Sequence, residues 1–503
     1  MKKEEKTNII FFMTDQQRWD CIGRFNPLIK TPNVDKLAKD GIIFSQAVCQ
    51  YPACVPSRNS MMFGLYPSQL GVRSNQGGLF YEDKLPVKPL PELLKQVGYQ
   101  TAGFGKTHWN HGVKNDKPGK RGFEVRAIGQ HKDSPLYEHG ALMMSEENPE
   151  GLKRYNNETV NYGNGEQKIE AYLGCTSKIE ERDHRDGWVA EKCIDFLEAE
   201  DIDPDKPLFL YLSFLKPHAG LNVPKEFEDL YDIDEIPDVE LPPWSGGSEP
   251  ETHISNIKYY NRYREAWHRL HPDERKRTTL RYWANCSWLD HYFGKVLSQL
   301  EKLGRLDNSI IVFLSDHGEM LGERDYMFTK YNLYESSVRV PMILSGSAIS
   351  ESKRGTVDER PAELIDIIPT LANVAGAYHS PVLTGLDLLS NDKRVGSFCE
   401  FHGKTDEGLQ AAPAYMWRKK DWKLIVYIEG PVKDASRKIN KIKGELYCLK
   451  DDPKEWDNLY GVEEFAKIRE QMKTELLMHL ACAWAKGPAY YEKSGYKKLG
   501  TEN

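Results

Sequence analysis

Residues 8–13 (Asn-Ile-Ile-Phe-Phe-Met) form an apolar run too short for a helix, as expected of a strand buried on both faces. Strands are predicted again at 42–48, Tyr99 to Phe104, Pro207 to Phe214 and Ser309 to Ser315. Between them lie helical patterns at about 32–40 and 89–97, stopped by Gly41 and Gly98, and at Asp186 to Glu200 and Ala362 to Ala375. The longest predicted helix runs from roughly Thr278 to Leu303 and stops at Gly304. Strand and helix alternate, so the expected fold class is α/β, a large and mostly parallel sheet sandwiched by helices.

Two stretches break the pattern. Residues 110–185 and 232–276 are polar, rich in Asn, Glu, Lys, Tyr and Gly, and read as insertions at the rim of the sheet. After about residue 380 come short strands (Trp422 to Ile428, Glu445 to Cys448) and a final helix near 463–482. The expected division is a main domain over 1–380 and a smaller α+β domain over 381–503, with a short antiparallel sheet and a terminal helix.

The 503 residues exceed the usual size of one domain, and 40% hydrophobic with 28% charged residues suits a globular enzyme. The longest apolar run, Leu208 to Leu215, is far short of the roughly 18 residues that span a bilayer, so no membrane insertion is expected. The N-terminus passes from Met-Lys-Lys-Glu-Glu-Lys directly into the first strand and lacks a secretory pattern. A cytoplasmic location is expected from it, or a periplasmic or secreted one if a signal was removed. Nine scattered cysteines argue against a disulfide framework, and no CxxC spacing marks a zinc knuckle. The net charge of −7, with no long basic run, excludes a nucleic-acid partner. An anionic substrate must then be drawn by a local cluster of cations.

Such a cluster is visible at the strand ends, where parallel sheets bind their ligands. The first strand ends in Asp15 and Gln16; the next two lead to Lys106 and His108, and to Lys216 and His218; the fourth ends in Asp316 and His317. Asp15 and Asp316, with Gln16 and His317, offer ligands to a divalent cation. Lys106, His108, His218 and Lys330 offer charge and protons around an oxyanion, which is what hydrolysis of a charged ester needs. A lone Asp or His after a strand is usually a turn or surface residue. Four such ends together are harder to dismiss.

The segment Cys54-Val-Pro56-Ser57-Arg58 is the most specific feature. A helix starting near Pro56 or Ser57 would place Cys54 just before its N-terminus, where free N–H groups favour anions, with Arg58 one turn along. Taken alone, a cysteine is more often a buried structural residue than a nucleophile. The segment resembles the Cys-x-Pro-Ser-Arg signature of the formylglycine-dependent sulfatases, within the alkaline phosphatase-like superfamily. Thr14-Asp15-Gln16, Gly105-Lys106-Thr107-His108, Lys216-Pro217-His218, Ser315-Asp316-His317-Gly318-Glu319, Lys330 with Tyr334-Glu335, and Glu445-Leu-Tyr-Cys-Leu resemble family motifs in the family's order.

The resemblance implies an alkaline phosphatase-like fold and a sulfuric ester hydrolase. Cys54 becomes formylglycine through a maturation enzyme, and one hydroxyl of its hydrate attacks sulfur. Arg58 holds that residue. Asp15, Gln16, Asp316 and His317, together with residue 54, bind one divalent cation, calcium by family habit, with manganese and magnesium as the other candidates. Lys106 and Lys330 bind sulfate oxygens, His108 contacts the second hydroxyl, and His218 protonates the departing alcohol. Departures from the pattern are Gln16, where many relatives carry a second aspartate, and Met61 and Phe63, where Leu and Thr are usual.

A phosphonate monoester or phosphodiester hydrolase is the runner-up, since relatives with an Asp-Gln start do that chemistry. A binding protein without turnover, and a cysteine protease, rank below it. The expected substrate is a small sulfated saccharide, from the polar insertions and a His402-Gly403 segment that could reach the pocket; Lys216 and His402 are taken as further substrate contacts. No oligomeric state is read from the sequence.

Overall fold

The computed structural model describes residues 6–75, 85, 87–109, 120–130, 138–159, 168–199, 202–247, 250–254, 258–379, 383–402, 413–428 and 442–485. Nine strands make the large sheet: β1 Asn8–Asp15, β2 Gly41–Phe44, β3 Gln100–Gly105, β4 Val125–Ile128, β5 Leu142–Met143, β6 Leu208–Pro217, β7 Ser309–Ser315, β8 Met342–Gly346 and β9 Thr356–Asp358. Their spatial order is β9-β2-β8-β7-β1-β6-β3-β4-β5. Only β8 runs against its neighbours, β7 and β2; every other pairing is parallel.

Every residue of β1 is buried, which explains its continuous apolar run. Alternate side chains feed two cores. Ile9, Phe11 and Met13 pack on one face with Val55, Met61 and Phe63 of helix α1 (Cys54–Phe63) and with Ile367, Ile368 and Leu371 of a later helix. Ile10 and Phe12 pack on the other with Trp188 and Val189 of α2 (Arg185–Glu198) and Trp288, Leu289 and Phe293 of α3 (Pro272–Lys302). Met61 and Phe63, two of the three departures noted above, are thus core residues. The register pairs Thr14 with Ser315 and Asp15 with Pro217, and Gly105 with Ser213. One edge therefore carries the carboxyl ends of β1, β3, β6 and β7.

A second sheet of four antiparallel strands, β10 Ser397–Phe401, β11 Ala414–Arg418, β12 Trp422–Ile428 and β13 Ile442–Cys448, follows at the C-terminal end. Helix α4 (Ala466–Ala485) lays Met472 and Leu476 on Trp417 and Leu424 of that sheet.

Several expected bounds are corrected. The strand expected over 42–48 is β2 plus a separate two-residue piece, Ala47–Val48. The helix expected from Ala362 starts at Ile367, after a short strand and a 3-10 turn. Helix α3 begins at Pro272, where His271 and Glu274 form a reciprocal cap. The stretch 110–185 is not only a rim insertion, since it supplies β4 and β5 to the sheet. Among the described residues no helix is long and apolar enough to cross a membrane.

Candidate active site

The four strand ends meet. Arg58, one turn into α1, is wholly buried and reaches across them. Its Nε donates to Asp316 Oδ2 at 2.6 Å, Nη2 to Asp15 Oδ2 at 3.2 Å, and Nη1 to the carbonyl of Lys106 at 3.0 Å and to Ser213 Oγ at 2.9 Å. The planar fork thus ties β1, β3, β6 and β7 together, which a lysine's single point charge could not do. Ser57 Oγ adds a bond to the Asp316 carbonyl at 2.6 Å.

Helix α1 begins at Cys54 itself rather than at Pro56 or Ser57, because Ala53 is extended and Ser57 N already bonds the Ala53 carbonyl at 3.1 Å. The thiol lies 3.2 Å from His317 Nε2, 3.2 Å from Lys330 Nζ and 3.6 Å from Asp15 Oδ1. Lys106 Nζ donates to Asp15 Oδ2. Burial raises the pKa of both Asp15 and Cys54, yet the cations win. Lys106 foremost, with Arg58 and Lys330, holds Asp15 well below the ordinary carboxylate range. Lys106, Lys330 and His317 lower the thiol, against Asp15.

Asp15, Cys54, Asp316 and His317 each offer one ligand atom, all within 4.8 Å of one another and all buried. Oxygen ligands of calcium lie about 2.3–2.6 Å from the ion, so this spread fits one cation. His317 Nδ1 faces the Gly318 carbonyl at 3.0 Å, which leaves Nε2 turned to the cluster. Gln16 Oε1 accepts from Lys330 Nζ at 2.6 Å, on the same side. His108 and His218 are half-buried, and the His108 carbonyl accepts from Asn59 Nδ2 of α1 at 3.3 Å. Burial first, then Lys330 and Lys106, push the His218 pKa well below its ordinary value, so this imidazole senses both lysines. The arrangement is a buried thiol at a helix start with two carboxylates, an imidazole and two lysines gathered around it.

A family model named Sulfatase matches residues 7–377, most of the chain. The chain belongs to the sulfatase family. A second model, N-sulphoglucosamine sulphohydrolase, C-terminal, matches residues 322–481 of this sulfatase. It is 29% identical over 497 residues to an arylsulfatase of Clostridium perfringens (strain 13 / Type A), covering 94% of each chain. It is a sulfuric ester hydrolase. Two solved structures share its fold. The phosphonate monoester hydrolase of Agrobacterium radiobacter has a TM-score of 0.72 at 20% identity, covering 95% of this chain and 96% of that one. A structure in complex with its substrate, D-glucosamine-2-N,6-O-disulfate, has a TM-score of 0.69 at 21% identity, covering 96% and 99%.

Two expected substrate contacts of the sulfatase are engaged by other partners in this structure. Lys216 donates to the Gly220 carbonyl and, at 2.7 Å, to Asn222 Oδ1, and burial pushes its pKa down to about 8. It braces the turn after β6 instead of presenting its amine to the pocket. His402 bonds Glu400 Oε2 at 2.7 Å and stacks on Tyr51, in the loop leading to Cys54; its partner Gly403 lies outside the described residues. Residues that sequence reasoning gave no role include Ser213 and Asn75, whose Oδ1 accepts from the N–H of Val55 in the first turn of α1 at 3.0 Å. Glu319 and Tyr172 also stand behind Gln16. Glu319 sits inside the quoted Asp316-His317-Gly318-Glu319 motif, the one signal that could have found it.

Proposed function

We propose that this sulfatase releases sulfate from a small sulfated saccharide, with residue 54 as formylglycine and one divalent cation, calcium by family habit, beside it. The observation that carries this reading is the meeting of Cys54 with two carboxylates, an imidazole and two lysines in one buried pocket. The hydrated aldehyde supplies the hydroxyl nucleophile, and the cation supplies a Lewis acid. Asp15, Asp316, His317 and Gln16 Oε1 hold the cation. Lys106 and Lys330 stabilise charge on the sulfate oxygens, fixed before the ester arrives. Arg58 keeps the helix start and both aspartates in register. His108 would be the proton acceptor for the hydrate of residue 54. His218 is held neutral by burial first and by Lys330 and Lys106 after it; an anion seated between the lysines would offset only their share, and His218 would serve as the acid for the departing alcohol. A sulfated saccharide is favoured because one structural neighbour was solved with a disulfated glucosamine as its substrate.

A phosphonate monoester or phosphodiester is the second reading. The shared fold of the Agrobacterium phosphonate monoester hydrolase and the neutral Gln16 favour it. Both substrates are tetrahedral anions, so rates decide. The test compares hydrolysis of an aryl sulfate and an aryl phosphonate, alongside mass spectrometry of the Cys54 peptide and a panel of defined sulfated sugars. Aldehyde at residue 54 with sulfate release from sugars is expected. Turnover of phosphonate with none of sulfate reverses the order, and activity confined to simple aryl or choline sulfates removes the saccharide.

A further inference from the structure

We propose that Glu319 is the positioning residue that aims Gln16 at the pocket, the two forming a matched acceptor–amide pair in place of a second aspartate. The inference rests on Gln16 as a cation ligand, the reading given above. Gln16 is wholly buried with a positive φ of 68°, so its backbone is set by its surroundings. Its backbone N–H donates to Asp316 Oδ1 at 3.0 Å and its carbonyl accepts from Tyr282 OH. The side-chain amide lies between two groups of opposite character. Lys330 Nζ, which can only donate, is 2.6 Å from one end; the Glu319 carboxylate is bonded to the other. That pairing permits one orientation: the amide oxygen toward Lys330 and the pocket, the amino group toward Glu319.

Both oxygens of Glu319 are engaged as acceptors. Its Oε1 takes the backbone N–H of Leu321 at 3.0 Å and that of Thr329. Its Oε2 takes Tyr172 OH at 3.0 Å together with Gln16 Nε2. Tyr172 OH also lies 3.4 Å from Gln16 Nε2. One oxygen therefore closes the loop that delivers Lys330, and the other orients the amide that Lys330 touches. Glu319 does not reach the thiol position itself; it acts through Gln16 and through the loop.

The pairing predicts which substitutions fail alone. In Glu319→Gln the new amide has one oxygen for two sets of donors, so its amino group faces either two backbone N–H groups or the Gln16 amino group. In Gln16→Glu two carboxylates meet in a buried space. Made together, the two changes restore every partner: the amide at 319 accepts from the loop and donates across, and the carboxylate at 16 accepts from it and from Lys330.

The test is a double-substitution cycle at 16 and 319, read in three ways: calcium titration by calorimetry, kcat and KM on an aryl sulfate, and thermal midpoint in EDTA. Glu319→Gln is expected to weaken calcium binding by about 10–100-fold, lowering kcat more than it raises KM. The double substitution is expected to recover calcium binding to the parent's level or better. Tyr172→Phe, which keeps the ring's packing, is expected to give a smaller loss in the same direction. In EDTA each single substitution lowers the midpoint by several degrees and the double recovers most of it. Unchanged calcium binding in Glu319→Gln, or losses that simply add in the cycle, overturn the pairing. A parent that binds no divalent cation sinks the reading of Gln16 as a ligand, while the EDTA cycle still judges the pair.

Discussion

Lys330 and Lys106 carry the positive charge of the pocket from different anchors. Lys330 Nζ touches both Gln16 Oε1 and Cys54 Sγ, whereas Lys106 Nζ rests on Asp15. Removing a preorganised donor for a developing oxyanion costs about 10²–10³-fold in rate. Lys330→Ala is therefore expected to lower kcat/KM on an aryl sulfate by about that factor, with the circular dichroism of the parent. A loss under about fivefold would remove Lys330 from the sulfate contact. Lys106→Ala has a second consequence, because Asp15 loses the cation first among those that hold it ionised. With that charge gone the Asp15 pKa moves up toward the ordinary range. In EDTA, Asp15 of this variant is expected to take up its proton at a higher pH than in the parent, which titration of the metal-free protein reads directly.

At the scale of elements, the segment between Glu319 and Tyr331 holds the densest run of positive-φ residues among the described ones. Leu321, Arg324, Asp325, Tyr326, Thr329 and Tyr331 all have positive φ, between 45° and 78°. Such backbone costs about 1–3 kcal/mol per residue and persists only where contacts impose it. Here Asp325 is held by Ser245 Oγ at 2.5 Å and His268 Nε2 at 2.8 Å, and the Arg324 guanidinium lies 4.0 Å over the Tyr334 ring. Thr329 is β-branched at φ 69°, next to Lys330. Thr329→Gly should relieve about 1–2 kcal/mol of that strain while loosening the arm that carries Lys330. The expected result is an unchanged or higher thermal midpoint with a lower kcat/KM; a fall in both would mean that the threonine side chain, not the backbone, matters. A different element depends on a distant cap. The helix Pro32–Lys39 has no side-chain cap from Thr31. Asp290, on α3, instead accepts from Asn33 N at 3.1 Å and Val34 N at 2.7 Å. Asp290→Ala should cost about 1–3 kcal/mol, visible as a lower thermal midpoint with activity retained.

These elements also mark what could be read from the chain. β1, β6 and β7 were legible because strands buried on both faces need continuous apolar residues. β4, β5, β8 and β9 are two to five residues long and lack such runs, so no period distinguished them. The charged strand ends were legible residue by residue, since ligands of one site must sit where parallel strands finish. Lys216 could not be separated from them, because what its amine bonds depends on the turn that follows. Glu319 and Tyr172 were invisible as a pair, lying far apart in sequence and meeting only in the fold.

The whole molecule is joined through a buried charge cluster between the two sheets. Arg418 and Lys423, cross-strand partners on β11 and β12, both converge on Glu335, which follows the Lys330 loop. Arg418 donates from Nε and Nη2 at 2.7 Å each, and Lys423 Nζ lies 3.1 Å away. The Glu335 N–H in turn donates to Glu455 Oε2 at 2.7 Å. Burial works against the Glu335 charge, but Arg418 and then Lys423 outweigh it and hold the carboxyl well below 4.5. A carboxylate with a depressed folded pKa stabilises the fold above its unfolded value and loses that contribution as pH falls toward the folded one. The parent's thermal midpoint should thus fall as pH drops from about 4.5 toward 3. Glu335→Gln leaves buried Arg418 without its carboxylate, while Lys423 keeps Glu455 at 2.7 Å, so about 3–5 kcal/mol of stability should be missing at pH 7. Its midpoint should fall less steeply across the acid window, by the share that Glu335 contributes, because Asp15 and Glu445 stay depressed in both proteins. Midpoints of the two proteins that decline in parallel from pH 5 to pH 3 would place the acid sensitivity in other carboxylates and leave this junction held by its apolar contacts alone.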